Sequence, residues 1–213
     1  SVTADMAVTY RGAVSNTTSV SSAAGVAITS AASTLAAPTL TSTSPVAQYV
    51  VGGSTFGVAT FKLATAAQGT QATVRELRFS TVGTDAIESI TVGGVTAPVI
   101  SGGTTTVSGL NLVVSYTGTD VPVTVKFSGF QNSTQGGSLT TSVSPVSVTL
   151  GYVEATSGSG SVITNTTAVA SNNMSLVASK PTVTVAAGGT DSLNLGALSK
   201  LGEFTIAADT NGK

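Results

Sequence analysis

The sequence predicts an all-β protein: an Ig-like or jelly-roll-type β-sandwich with additional terminal strands that pair with an adjacent unit. Three observations carry the prediction. Val and Thr recur at alternate positions in short runs, the period of a strand with one buried face. Gly-rich turn segments separate these runs at intervals of about 8–12 residues, the spacing of sandwiches and barrels. No stretch carries apolar residues at helical spacing.

Each run reads as a strand in turn. In "MAVTY" (6–10), Met6, Val8 and Tyr10 fall on one face. "FGVATFKLAT" (56–65) puts Phe61 and Leu63 together. "ATVRELRFSTV" (72–82) alternates strictly, which predicts Val74, Glu76 and Arg78 on one face and Arg75, Leu77 and Phe79 on the other. Segments 87–94, 111–116, 121–130, 143–153 and 181–185 continue the series. Their β-branched residues suit a pleated, half-buried surface. Turns are expected at "VGGST" (51–55), "TVGTD" (81–85), "VGGVT" (92–96), "ISGGT" (100–104), "YTGTD" (116–120), "QGGS" (135–138) and "SGSGS" (157–161). The Ala-rich segment 21–38 is too diluted by Thr, Ser and Gly to predict a helix.

Composition excludes whole classes of partner. Charged residues are 8% of the 213, against about 25% in ordinary soluble domains. Eight Lys and Arg provide no basic stripe for a nucleic acid and no polybasic patch for a membrane. No apolar run reaches the ~20 residues of a membrane-spanning helix. Ser and Thr total 66 (29 plus 37), so hydroxyls rather than ions must cover the surface. With aromatics at 5% and no Trp, the core is expected to be Val, Leu, Ile and Ala.

The same counts remove most chemistry. There is no His and no Cys, so Ser–His or Cys–His nucleophiles, disulfides and thiolate metal sites are all excluded. Lys62, Lys126, Lys180 and Lys200 sit in or beside strand-like runs with no motif around them. The carboxylates fall mostly at turns, where Asp bonds its own backbone. No catalytic residue and no cofactor is expected. Calcium is the one metal left open, since it takes oxygen ligands alone. Its candidate ligands are Asp85, Glu88 and Asp120, although no EF-hand loop surrounds them. Four of eight Asn begin the glycan-acceptor pattern Asn-x-Ser/Thr: Asn16, Asn132, Asn165 and Asn173.

An internal repeat, or a low-complexity β pattern that mimics one, sets the expected organisation. Residues 37–70 align without gaps on 180–213 at an offset of 143, with seven identities in 34 positions. Pro38 matches Pro181, Thr39 matches Thr182, and Phe61 matches Phe204. "ADMAVTYRGAV" (4–14) likewise matches "SPVSVTLGYVE" (144–154) at an offset of 140, and an Asn-Thr-Thr follows each. The expected organisation is therefore 1–37 as the end of a preceding unit, 38–180 as a complete sandwich, and 181–213 as the first strands of the next. Two or three strands cannot bury a face alone. Head and tail should therefore pair with each other, be exchanged with neighbouring copies, or belong to a longer tandem chain. Assembly contacts are expected from Met6, Val8, Tyr10, Phe204 and Ile206.

The junction "NNMSLVASKPTVTV" and the strand-turn "FTIAADTNG" resemble the tandem β-sandwich modules of prokaryotic surface-layer, stalk and strand-exchanged filament proteins. The resemblance implies a secreted, non-enzymatic homopolymer at the cell surface. Two other readings stand beside it. An adhesin or carbohydrate-binding module would want clustered aromatics, and Tyr10, Tyr49, Tyr116 and Tyr152 are scattered. A virion or phage decoration protein would share the sandwich.

Overall fold

The computed structural model describes residues 33–131, 136–186 and 202–208, and the backbone of four short strands within 1–32. The chain falls into two units, Ser1–Ala32 and Ser33–Lys213. In the first, β1 (Val2–Thr3), β2 (Met6–Arg11), β3 (Thr18–Ala23) and β4 (Ala27–Ile28) form two antiparallel pairs. Strand β2 pairs with β3 from Met6↔Ala23 to Arg11↔Thr18, and β1 pairs with β4 at Val2↔Ile28 and Thr3↔Ala27.

The second unit contains an all-β sandwich. Its strands are β5 (Thr39–Leu40), β6 (Gln48–Val51), β7 (Thr55–Leu63), β8 (Gln71–Val82), β9 (Ile87–Val92), β10 (Val95–Pro98) and β11 (Thr105–Ser115). These are followed by β12 (Thr119–Phe127), β13 (Val143–Ser157), β14 (Val162–Asn165), β15 (Val169–Ala170) and β16 (Met174–Val177). One sheet runs β10-β9-β12-β7-β5; the other runs β11-β8-β13-β16-β6, with β14 and β15 also paired to β13. A separate ribbon of β17 (Thr182–Val185) and β18 (Phe204–Ala207) follows. Among the described residues no helix is long and apolar enough to cross a membrane.

The turn chemistry is local. Gly93 and Gly94 close the β9–β10 hairpin with φ of 55° and 82°, the two positive values a two-residue primed turn requires. The opening strand is split between the sheets. Strand β5 lies antiparallel to β7, then the chain crosses over and β6 runs parallel to β16. Ser44 pins the crossover: its Oγ donates to the Thr60 carbonyl at 3.0 Å and accepts the Thr60 N–H at 2.8 Å.

One continuous apolar core lies between the sheets. Phe61 and Leu63 face inward together, as their spacing predicts. Phe61 meets Phe79 of the opposite sheet at a ring separation of 6.4 Å, within the range of favourable aromatic pairs. The core is not purely aliphatic. Four of the six Phe, at 61, 79, 127 and 130, are buried, because large rings fill the space between sheets that branched aliphatics leave.

Strand β8 departs from its predicted faces. Val74 is buried with Leu77 and Phe79, while Glu76 and Arg78 point outward. A bulge explains the difference: Glu154 pairs with Glu76 and Ala155 with Val74, so Arg75 is an extra residue that inverts the alternation. Strand β13 carries the matching device at Gly151, between the pairs Leu150↔Phe79 and Tyr152↔Arg78.

Candidate functional site

The carboxylates do not converge. Asp85 is exposed on a single 3-10 turn, Thr84–Ala86; its backbone carbonyl accepts a hydrogen bond from Ser128 Oγ at 2.9 Å. Glu88 is exposed on β9 and Asp120 on β12, where Asp120 pairs in register with Lys62 of β7. Among the described residues no three acidic side chains gather as metal ligands. A cavity of about 660 Å³ beside Asp85 is lined by Gly83, Ala86, Ser138, Leu139, Thr140, Thr141 and Val143, with no second titratable group. Lys126 is spent on structure, donating from Nζ to the Gly53 carbonyl.

A charged constellation lies on the outer face of the β8–β13 pair, where the two bulges fall. Arg78 Nε donates to Glu76 Oε1 at 2.6 Å, and the Arg78 guanidinium lies 4.1 Å from the centre of the Tyr152 ring. Tyr152 Oη donates to Glu154 Oε2 at 2.9 Å. The ion pair lies within one strand, and the cross-strand partner of Arg78 is an aromatic face. Glu76 sits directly opposite Glu154, a like-charge pairing that the intervening guanidinium offsets. The hydrogen bond to Glu76 raises the Arg78 pKa above its ordinary value. The Tyr152 pKa is also raised, first because its phenol proton is held by Glu154. A permanently charged Arg and a phenol that keeps its proton make a tie between strands, not an acid–base pair. Arg75, on the bulge, donates from a guanidinium nitrogen to Asn111 Oδ1 of β11 at 3.0 Å. Tyr152 and Glu154 carry no signal in the sequence, because only the β8–β13 register brings them to "RELRF".

Of the four glycan acceptors, Asn16 and Asn132 lie outside the described residues. Asn173 is exposed immediately before β16. Asn165 is half-buried at the end of β14; its Nδ2 donates to the Leu35 carbonyl at 3.3 Å and its Oδ1 accepts the Thr167 N–H at 2.8 Å.

The feature that stands apart is the β17–β18 ribbon. Its register pairs Val183 with Ile206 and Val185 with Phe204, and Thr182 with Ala207 and Thr184 with Thr205. Residues opposite each other, or two apart, share a face. One face is therefore Val183, Val185, Phe204 and Ile206; the other is three Thr and one Ala. The apolar four are 60%, 77%, 66% and 63% exposed. Phe204 and Ile206 are expected assembly residues; Val183 and Val185 join them through the register, a contribution the alternation of "PTVTV" foreshadows. Met6, Val8 and Tyr10 fall in β2, of which the backbone alone is described.

No protein-family model, curated protein or solved structure matches this chain. Function must therefore be read from geometry. The sandwich is entered at one end and left at the other. Near the entry, Leu35 bridges to Thr65, just past the end of β7. At the exit, the Gly52 N–H bonds the carbonyl of Val177, the last residue of β16, just before β7 begins. The nine residues of β7 separate these ends, about 30 Å at ~3.3 Å per residue.

Proposed function

We propose that this protein is a non-enzymatic structural subunit of an extracellular filament or surface layer, in which β-sandwiches join end to end through strand contacts. The observation that carries the reading is the β17–β18 ribbon, with four large apolar side chains on one face and nothing over them among the described residues. An isolated two-stranded ribbon is marginal in water, and its edges invite pairing. A surface of this kind marks an interaction site. Entry and exit at opposite ends of the sandwich give each unit a polarity, and a contact between unlike ends propagates instead of closing. The scarcity of charge fits a hydroxyl-covered exterior, with Asn173 and Asn165 as candidate glycan carriers and no metal required.

Neither alternative gains a comparable observation. For an adhesin, exposed Tyr49 lies on β6 at one edge of its sheet and exposed Tyr116 follows β11 at the other, so the two do not form an aromatic platform. Electron microscopy of the native protein over a concentration series tests the proposal. Unbranched rods or lattices with a regular axial repeat are expected. A monodisperse monomer at every concentration, with β17–β18 ordered, would overturn it.

A further inference from the structure

We infer that the β17–β18 ribbon is the opening of a second sandwich, and that residues Ser1–Ala32 of another copy supply the strands that close it. The inference rests on the end-to-end reading above and names the joint.

The tail matches the molecule's own first strands. At the offset of 143, β17 corresponds to the start of the sandwich at β5, and Phe204–Ala207 corresponds to Phe61–Ala64. Both pairs are antiparallel. The sandwich sets Leu40 opposite Phe61; the tail sets Val183, the counterpart of Leu40, opposite Ile206, the counterpart of Leu63. The slip is two residues, an even number, so each side chain keeps its face. The burial differs sharply. Phe61 and Leu63 are 1% and 2% exposed, while Phe204 and Ile206 are 66% and 63% exposed. The tail carries strands like those that open the sandwich, and among the described residues no sheet covers them.

The head matches the last strands. The offset of 140 carries β2 onto the middle of β13, and carries Thr3 onto Val143. Matching Asn16-Thr17-Thr18 to Asn165-Thr166-Thr167 gives an offset of 149, which carries Ala27 of β4 onto Leu176 of β16. In the head Thr3 pairs with Ala27; in the sandwich Val143 pairs with Leu176. The same pair of positions meets in both. Elsewhere the register differs by one place, since Thr9 pairs with Val20 (counterparts Thr149 and Val169) while Thr149 pairs with Ala170, so the head resembles the closing strands in its order of pairing and at this one pair of positions.

Within the sandwich these two sets of strands seal each other. Strand β16 runs parallel to β6 from Met174↔Gln48 to Val177↔Val51. Asn172 Nδ2 donates to the Pro45 carbonyl at 2.8 Å, and Asn165 Nδ2 reaches the Leu35 carbonyl. Closing strands cover opening strands inside one copy, and each copy carries a spare set of each kind. In chain order the spare closing strands precede the entry of the sandwich and the spare opening strands follow its exit; entry and exit themselves lie about 30 Å apart along β7. Matching them between copies is the heterologous arrangement that grows without limit.

Sedimentation velocity on the chain Ser1–Lys213 tests this with two blocked variants. Phe204→Asp with Ile206→Asp blocks the tail; Met6→Asp with Val8→Asp blocks the head. Wild type is expected to form concentration-dependent polymers, and each variant alone to remain monomeric with an unchanged sandwich melting transition. An equimolar mixture has one working joint per pair and is expected to stop at a dimer. The milder Phe204→Leu, which keeps the apolar character, is expected to retain assembly. If the tail-blocked variant polymerises like wild type, the filament reading stands but this joint is overturned. A mixture that remains monomeric overturns it as well. A monomeric wild type overturns both readings, whether its own head or nothing covers Phe204.

Discussion

At the scale of single residues, equivalent side chains have opposite surroundings. Phe61 and Phe204 occupy matching places in the repeat, yet the first is buried against Phe79 and the second faces solvent. Phe61→Ala is expected to destabilise the sandwich by about 3–5 kcal/mol, the range for truncating a buried ring. Phe204→Ala is expected to leave monomer stability within about 0.5 kcal/mol; denaturant unfolding at low concentration measures both. Tyr152 gives a pH-dependent test. Its hydrogen bond to Glu154 favours the neutral phenol, so the folded pKa lies above the unfolded one. The resulting stability is fully present below the unfolded tyrosine pKa and is lost as pH rises through the folded value. Ultraviolet titration is expected to show Tyr152 ionising late, and Glu154→Gln to bring it back toward the ordinary range. A late phenol that is insensitive to Glu154→Gln would remove the hydrogen bond as its cause.

At the scale of elements, the two bulges decide what the outer face of the larger sheet presents. Strict alternation through "ATVRELRF" puts Val74 with Glu76 and Arg78, whereas the extra residue Arg75 returns Val74 to the core. Because Arg75 is supernumerary, deleting it leaves Leu77, Phe79 and Val74 all facing inward. Deleting Arg78 instead shifts the strand by one place, turns Leu77 outward and drives Glu76 toward the core. The first deletion is expected to fold with a cooperative melting transition and the second to lose it; circular dichroism and thermal melting distinguish them. Equal loss in both would mean the bulge is indispensable to the β8–β11 pairing, where the register also shifts between Ser108 and Leu112.

For the whole molecule, the decisive property is that the first and last strands of the larger sheet, β6 and β16, run parallel, which sends the chain in at one end and out at the other. The chain has no Cys, so spin labels on cysteines introduced at Thr34 and Ala178, both exposed, report that separation directly. A distance of roughly 30 Å or more is expected from the length of β7; a value near half of that would contradict opposed ends. The proposed joints would be built from Val, Ile and Phe in a chain with 8% charged residues, and so should respond little to screening. Assembly is expected to persist from low ionic strength to about 1 M sodium chloride and to strengthen in sulfate, since excluded salts favour apolar burial. Dissociation by added sodium chloride would instead point to an ionic joint.

The sequence by itself determined the class of fold, because period-two alternation and turn glycines are local properties that any sheet partner would satisfy. Segments 56–65, 72–82, 121–130 and 143–153 fall on β7, β8, β12 and β13 for that reason. It also determined that no His- or Cys-based chemistry is available, and it offered Phe204 and Ile206 as assembly candidates. The short strands β5, β6 and β14 to β16 escape local reading, since their pairing depends on distant neighbours. The tertiary structure alone decided the phase of β8, the meeting of Arg78 with Tyr152 and Glu154, the split of the opening strand between sheets, and the exposure of the β17–β18 face. Each depends on which strand lies beside which, and register between segments far apart in the chain is set by packing that no local pattern encodes.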